Sequence, residues 1–503
     1  MKSSQIIKQI TSIEKGLDPD QDNLIWEGIH IWPIVREILF HTIKNDLAYA
    51  SINNFLLYNR LSWKESLLQQ LQQKYRGTAI LFFSRNSDNR EWVGENRYNA
   101  LIDPLFETFS AQFECAKFEI VQPQDHIQDS HLHPPQLITL KRSRQHVLDQ
   151  ENTFKTFFEP LRGKIINEIQ VDLHSTIVLH HLLVIKEYAY FFKELLSPIQ
   201  PEAVFFVCCK SLPVKGLILA CRELNIAAVD IQHGFQGNSN IVYHHWENWP
   251  RKGYNLLPTH FWAWGDIFAH NIDKWFSRFN SSPIVIQGGY LWPGMWSKGT
   301  SIESKKQLTR LTALKEKKPY RKVILLTTRI ISEELLSAIR HLPKNWLWLF
   351  RSHPQFGMDT EDLEQLLLEY GIDNYNIDFA SNASLYLLLK HCDAHITFDS
   401  TVAFEAYLCN NQSIILDKEG FDMFSDFHDS GAFIYAKSQD SICSYLQKIV
   451  KNKADLSSYP KRMIDDKESA LSGIYNILEH NCKSNPQNRS KAQKILSPCI
   501  QLI

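Results

Sequence analysis

The sequence lacks most of the short signatures that announce a cofactor or an energy source. No GxGxxG opens a helix and no GxxxxGKS/T occurs in the 503 residues, which removes support for dinucleotide oxidoreductases and P-loop NTPases. No apolar-flanked DxD appears, which argues against a metal-dependent nucleotide-sugar transferase of the other common architecture. No metal-ligand cluster is evident either, so neither cofactor nor metal is expected. The nine cysteines include no CxxC pair. Cys208-Cys209 lie inside an apolar run and read as buried small hydrophobes, and reduced thiols are the expected state. Residues 1–9 lack the apolar core of a signal peptide. No window approaches the ~18 apolar residues of a membrane span. The expectation is a cytoplasmic protein, with peripheral contact at the inner face of the cytoplasmic membrane left open. Charge of one sign is missing as well: the formal net charge is -1, so no chain-wide basic field calls for nucleic acid.

What is present is ordinary globular composition, 44% apolar and 22% charged, in a chain long enough for two or three domains. Residues 1–75 read as a mainly helical extension, with Trp26, Ile29, Ile31, Trp32, Ile34, Ile38 and Leu39 marking an amphipathic or buried helical segment. Asp18, Asp20 and Asp22 lack the glycine and closing glutamate of an EF-hand loop and read as an acidic turn before a helix. Residues 78–83 and 115–121 are strand candidates, and 137–197 read as long helices. From residue 203 strand and helix alternate: strands at 203–209, 227–231, 259–264 and 284–286, with a helix at 213–224.

A lysine-rich stretch, 297–321, suits a connection or a surface helix. A second alternating series follows, with strands at 323–327, 346–350, 394–398, 413–416 and 432–435. Apolar strands alternating with helices mean parallel α/β sheets. The expected class is α/β, with two Rossmann-like doubly wound domains facing a cleft. Its divisions are a helical extension at 1–75, an N-terminal domain at 76–296, a C-terminal domain at 297–465 and a helix and tail at 466–503. The cleft is the expected active site. The basic tail after Lys483 reads as a frayed or docked terminus before it reads as a membrane contact.

The chemistry-bearing residues gather at expected strand ends, where open α/β sheets bind ligands. The run Trp346-Leu-Trp-Leu-Phe350 reads as a buried strand and leads into Arg351-Ser352-His353-Pro354. Guanidinium and imidazole N–H groups suit phosphate oxygens, and proline fixes the turn. Asp399-Ser400-Thr401 precedes a helical pattern containing Glu405. This is either plain N-capping or, together with the first motif, half of an anion site. Gln232-His233-Gly234 ends a strand of the first half and offers an imidazole as general base. Seven of the thirteen tryptophans lie between Trp246 and Trp296; aromatic-rich segments are more often core than sugar platforms. The loop 84–98, with Arg85, Asn86, Asp88, Arg90, Glu91, Glu95 and Arg97, leaves a strand end and is a candidate acceptor surface.

Two Rossmann-like halves with Arg-Ser-His-Pro and Asp-Ser-Thr in the second resemble GT-B glycosyltransferases that use cytidine-activated donors. The His-Pro and hydroxyl motifs look like those of bacterial polysialyltransferases, capsule Kdo transferases and CDP-glycerol glycerophosphotransferases. In the last group a His-Gly motif supplies the proposed base, and Gln232-His233-Gly234 looks like its counterpart. The resemblance spans residues 200–420 at motif level, and the acidic base motif of the polysialyltransferases is not evident. It implies that Arg351, Ser352, His353, Pro354, Asp399, Ser400 and Thr401 hold the donor phosphate, with Glu405 toward a ribose hydroxyl. His233, Asp230 or Asp103 is then the base, and Gln232, Gly234, Arg85 and Asn86 stand on the acceptor side. The implied function is metal-independent transfer of a Kdo- or sialic-acid-like sugar from a CMP-activated donor to a glycan or lipid-linked glycan, in bacterial surface-polysaccharide synthesis. The alternatives are a CDP-glycerol-type glycerophosphotransferase, a UDP-sugar transferase or epimerase, and a non-catalytic component of an assembly complex.

Overall fold

A computed structural model describes residues 3–484 apart from 46–48, 50, 86–90, 122–129, 237–239, 298–301, 329, 353–357, 453 and 457–465. The chain forms two compact units. Unit 1 comprises Met1–Arg90, Asn99–Leu291 and Ile464–Ile503, and unit 2 comprises Glu91–Tyr98 and Trp292–Met463.

Unit 1 is built on seven parallel strands: β1 (Ile80–Ser84), β2 (Cys115–Val121), β3 (Gln136–Thr139), β4 (Ala203–Val207), β5 (Ala227–Ile231), β6 (His260–Ala263) and β7 (Ile284–Gln287). Their spatial order is β7-β6-β5-β4-β1-β2-β3. The run departs in both directions from the β1/β4 pair, which is the topological switch point of a doubly wound sheet. Nearly all residues of β1, β4 and β5 are apolar because both sheet faces are covered. Leu81, Phe83, Val204 and Phe206 join one core with the helices Ser175–Ile199 and Leu212–Glu223. Ile80, Phe82, Phe205 and Val229 join the other, with Leu105 and Phe109 of helix Asp103–Ser110 and Ile474 and Ile477 of the C-terminal helix Lys467–Ser484.

Gly216 lets the two helices of the first core touch. A Cβ there would lie 2.5 Å from Tyr188 Cβ and 2.8 Å from Ile185 O.

The N-terminal residues share the first core through Ile6, Ile10, Trp32 and Leu39. They are fastened by a buried ion pair, Glu14–Arg36 at 3.6 Å. The Arg36 guanidinium lies 3.7 Å from the Trp246 ring centroid and donates to the carbonyls of His244 and His245. Trp246, Trp262, Trp264 and Trp292 are all buried, the core role that aromatic-rich segments usually have.

Two readings of the sequence are corrected here. Residues 137–146 are not helical: β3 and the strand Lys141–His146 occupy them, and the helices run Leu148–Ile169 and Ser175–Ile199. Lys141–His146 pairs antiparallel with Leu57–Ser62, a partner far upstream that no local pattern reveals. The segment from Trp26 to Leu39 is not one helix either. Ile25–Trp26 and Ile29–His30 form a small hairpin, and the helix begins at Trp32.

Unit 2 carries six parallel strands: β8 (Lys322–Thr328), β9 (Trp346–Ser352), β10 (Tyr375–Asn376), β11 (Ala394–Thr397), β12 (Ser413–Ile415) and β13 (Phe433–Tyr435). Their order is β10-β9-β8-β11-β12-β13, the Rossmann order 3-2-1-4-5-6 with its switch point between β8 and β11. Trp348, Phe350, Ile324 and Ile396 pack on Leu335, Leu363 and Leu446 of the flanking helices. Two doubly wound parallel sheets in one chain make this the GT-B-like α/β class expected from the sequence. The hairpin Glu91–Val93/Asn96–Tyr98 also belongs to unit 2, where Tyr98 stacks on Trp292 at 5.0 Å.

Candidate functional site

In unit 1 the carboxyl end of β5 holds a buried acid within electrostatic reach of a histidine. Asp230 lies opposite Phe206 of β4 and is 1% exposed. The Tyr243 hydroxyl donates to Asp230 Oδ2 at 2.9 Å, and the Cys209 N–H reaches the same oxygen at 3.4 Å. Cys208, with φ +68°, turns the chain out of β4 so that this amide faces β5. Asp230 Oδ1 is buried without a hydrogen-bond partner. Burial raises the Asp230 pKa, against the opposing pull of His233 and of the bonds from Cys209 and Tyr243. The Tyr243 phenol is held well above its usual range by burial and by Asp230, so it stays a donor. His233 is exposed and lies within electrostatic reach of this carboxyl.

Gln232 fixes the loop that carries the histidine. Its Oε1 accepts from Trp264 N at 2.8 Å, its Nε2 donates to Gly234 O at 2.9 Å, and its carbonyl accepts from Trp264 Nε1 at 2.8 Å. Gln232 is 1% exposed, so it acts through His233 and Gly234 rather than on a ligand. Arg85, half-buried after β1, lies within electrostatic reach of Cys208, as does Lys210. Asn86 lies outside the described residues. Asp103 stands apart in character: it is buried, 2.5 Å from Lys117 Nζ, and accepts from Asn99 N at 2.7 Å. Its Oδ1 is engaged in the ion pair with Lys117 and its Oδ2 by the Asn99 amide.

In unit 2 the strand β9 runs through Arg351 and Ser352, in register with Thr327 and Thr328 of β8. Those two residues therefore belong to the strand rather than to the polar turn the sequence suggested; His353 and Pro354 lie outside the described residues. The Arg351 guanidinium turns inward. Its Nη1 donates to Ala380 O at 2.7 Å and Ala383 O at 2.6 Å, and its Nη2 lies 3.9 Å from Glu91 Oε1.

Asp399-Ser400-Thr401 follows β11 at the switch point. It is two strands from Arg351, roughly 10 Å at the usual inter-strand spacing. Ser400 Oγ accepts from Val402 N at 3.2 Å, so the hydroxyl caps the helix Val402–Leu408, while Thr401 makes no side-chain cap bond. Beneath the loop, Thr397 Oγ1 accepts from Ser400 N at 3.3 Å and donates to Thr327 O at 2.6 Å. His395, held neutral by burial with its pKa lowered to about 3, bridges Thr327 Oγ1 and Ser413 Oγ. Gly420 packs under the same loop, where a Cβ would meet Asp399 Cα at 2.8 Å and Phe398 O at 2.9 Å.

Glu405 lies one turn into the helix. It is partly buried and accepts from the Tyr386 hydroxyl at 2.9 Å. Burial lifts its pKa to about 7; Glu91 adds to the rise, and Tyr386 and Arg351 oppose it. Unit 2 therefore joins Glu91, Arg351, Glu405 and Tyr386 beside the hydroxyl loop. Sequence reading singled out neither Tyr386 nor Tyr243. Nothing in the neighbourhood of either tyrosine marks it as the partner of an acid on another element.

No protein-family model matches this chain, and no curated protein matches it significantly. Solved structures resemble its fold. The UDP-GlcNAc 2-epimerase from Neisseria meningitidis, bound to UDP-GlcNAc, is 11% identical with a TM-score of 0.47; the match covers 81% of this chain and 100% of that one. A second UDP-N-acetylglucosamine 2-epimerase is 13% identical, TM-score 0.49, over 80% of this chain and 96% of that one. The wall teichoic acid polymerase TagF is 11% identical, TM-score 0.45, over 90% of this chain and 98% of that one. At these identities and scores the likeness bears on neither substrate nor reaction.

Proposed function

We propose that this protein is a glycosyltransferase that moves a sugar from a nucleotide-activated donor to a glycan hydroxyl. The observation that carries the reading is the Asp230–His233 pair at the carboxyl end of β5. A buried carboxyl with one oxygen fixed by Tyr243 lies within electrostatic reach of an exposed imidazole. A carboxyl so placed favours the imidazolium that forms when the histidine takes a proton. In the reaction His233 takes the proton of the acceptor hydroxyl. The acceptor oxygen bonds to the anomeric carbon as the bond from that carbon to the donor phosphate oxygen breaks. The phosphate leaves with the electron pair.

In this reading unit 2 binds the donor. The Thr401 hydroxyl, which makes no cap bond, meets the phosphate, with Asp399 and Ser400 shaping the loop. Arg351 supports from below by holding Ala380, Ala383 and Glu91, while His353 is assigned to the phosphate by its motif alone. Fixed donors stabilise the charge on the leaving phosphate. The motifs favour a CMP-activated, Kdo- or sialic-acid-like sugar and an acceptor glycan of a bacterial surface polysaccharide, free or lipid-linked, with the protein peripheral to the membrane.

Calorimetric binding of CMP, CDP, UDP and GDP, followed by transfer assays with the preferred donor, tests this. CMP preference supports the cytidine reading, and UDP or GDP preference overturns it. His233→Ala should lower kcat about a hundredfold or more, the usual worth of a general base, with donor affinity intact. Near-wild-type transfer by that variant refutes the assignment.

A further inference from the structure

One surface of unit 1 carries charge that the proposed site does not use. The antiparallel ribbon of Leu57–Ser62 and Lys141–His146 contains Arg60, Lys141, Arg142, Arg144 and His146 and no carboxylate. All five are exposed, and Lys141 to Arg144 are exposed in succession, on both faces of their strand.

The ribbon is nevertheless anchored. Leu61 is buried and its N–H donates to Glu187 Oε2 at 2.8 Å. Arg142 Nη2 donates to the Tyr188 hydroxyl at 2.8 Å. Both contacts tie the ribbon to helix Ser175–Ile199, and they engage Glu187 with a backbone amide. Arg60, Lys141 and Arg144 have no ion pair among the described residues. Where Ser62 pairs with Lys141, the chain continues into Trp63 and the exposed Lys64. The Trp63 ring packs on Tyr190 at 5.6 Å, and Tyr190 is 60% exposed.

We propose that this ribbon, with the Trp63–Tyr190 pair, is a docking surface for an anionic lipid membrane. One-signed, unpaired cations are what a negatively charged headgroup layer attracts, at about fivefold in affinity per Lys or Arg. Trp and Tyr, apolar in body and polar at the edge, settle at headgroup depth. A soluble polyanion needs only the cations; the exposed Tyr190 beside them, backed by the half-buried Trp63, favours a lipid interface. No described helix is long and apolar enough to cross a membrane, and contact through this surface is peripheral. The inference extends the membrane association in the proposed function, and its readout needs no turnover, so the two fail separately.

The test is co-sedimentation of the full chain with phosphatidylcholine vesicles, with and without about one-third phosphatidylglycerol. The wild type is expected to bind the anionic vesicles, to bind neutral ones weakly, and to be released by salt. The triple variant R60Q/K141Q/R144Q should bind about a hundredfold more weakly with unchanged thermal unfolding. Tyr190→Ser should weaken binding several-fold at constant charge. Three results overturn the proposal: no binding by the wild type, equal binding by the triple variant, or ribbon-dependent binding of dextran sulfate without vesicle binding.

Discussion

Glu405→Gln tests the electrostatics of the proposed donor site without reference to a substrate. Glu405 is partly buried, bonded to Tyr386, and placed near both Glu91 and Arg351. Its pKa, ordinarily 4.5, is lifted to about 7, first by burial. A carboxyl with a raised folded-state pKa contributes stability that is fully present below the unfolded value. That contribution is lost as pH rises through the folded value. The window therefore runs from about 4.5 to about 7. At about 1.4 kcal/mol per pH unit the full effect is roughly 3 kcal/mol, and residual solvent access screens it to roughly 1–2 kcal/mol. Glutamine keeps an acceptor for Tyr386 and cannot ionise.

Wild type and Glu405→Gln should therefore unfold together at pH 5, whereas at pH 8.5 the variant should be the more stable. For a unit of this size the difference at Tm is about 2–8 °C. Scanning calorimetry across that range, following the transition assigned to unit 2, measures it. A difference that does not change with pH, or a variant less stable at high pH, would refute the argument. Either result would mean that Arg351 rather than desolvation governs this carboxyl.

Asp230→Asn should lower kcat about tenfold or more and move the acidic limb of the kcat/KM profile to lower pH. An ionised carboxylate raises the pKa of a neighbouring imidazole, and pH–rate measurement reads the shift. Tyr243→Phe, which frees Asp230 Oδ2 from its phenolic donor, should reproduce the same change at smaller amplitude. Gly420→Ala drives a methyl into Asp399 Cα and Phe398 O. It should weaken nucleotide binding about tenfold, seen by calorimetry, and destabilise unit 2 by about 1–3 kcal/mol. Gly216→Ala forces helices Ser175–Ile199 and Leu212–Glu223 apart. It should lower the Tm of unit 1 by several degrees, with little effect on nucleotide affinity.

Much of the fold was legible where local pattern and tertiary role agree. The strand Ala227–Ile231 coincides with its apolar run, and β9 and β11 begin where expected, at Trp346 and Ala394. Strands buried on both faces must be apolar throughout, and their helices must carry an apolar stripe, so composition alone marks them. The ribbon strand Lys141–His146 was illegible for the opposite reason. It is polar on both faces, and only pairing with Leu57–Ser62 holds it extended.

The strand-end motifs were likewise visible as residue types: Gln232-His233-Gly234, Arg351 and Asp399-Ser400-Thr401. Their division of labour was not. Gln232 became a buried clamp because Trp264 offers both an amide and an indole N–H to it. Arg351 became an internal fastener because Ala380 and Ala383 present carbonyls at the end of a short helix. Asp103 and Asp230 are both buried aspartates, and Lys117 lies beside only the first of them. Sequence determined which apolar segments are core strands of the two sheets and which residue types stand at their ends, because burial and periodicity are local demands. Tertiary structure decided which acid is neutralised by a lysine and which is held by a tyrosine hydroxyl, because that depends on neighbours farther along the chain.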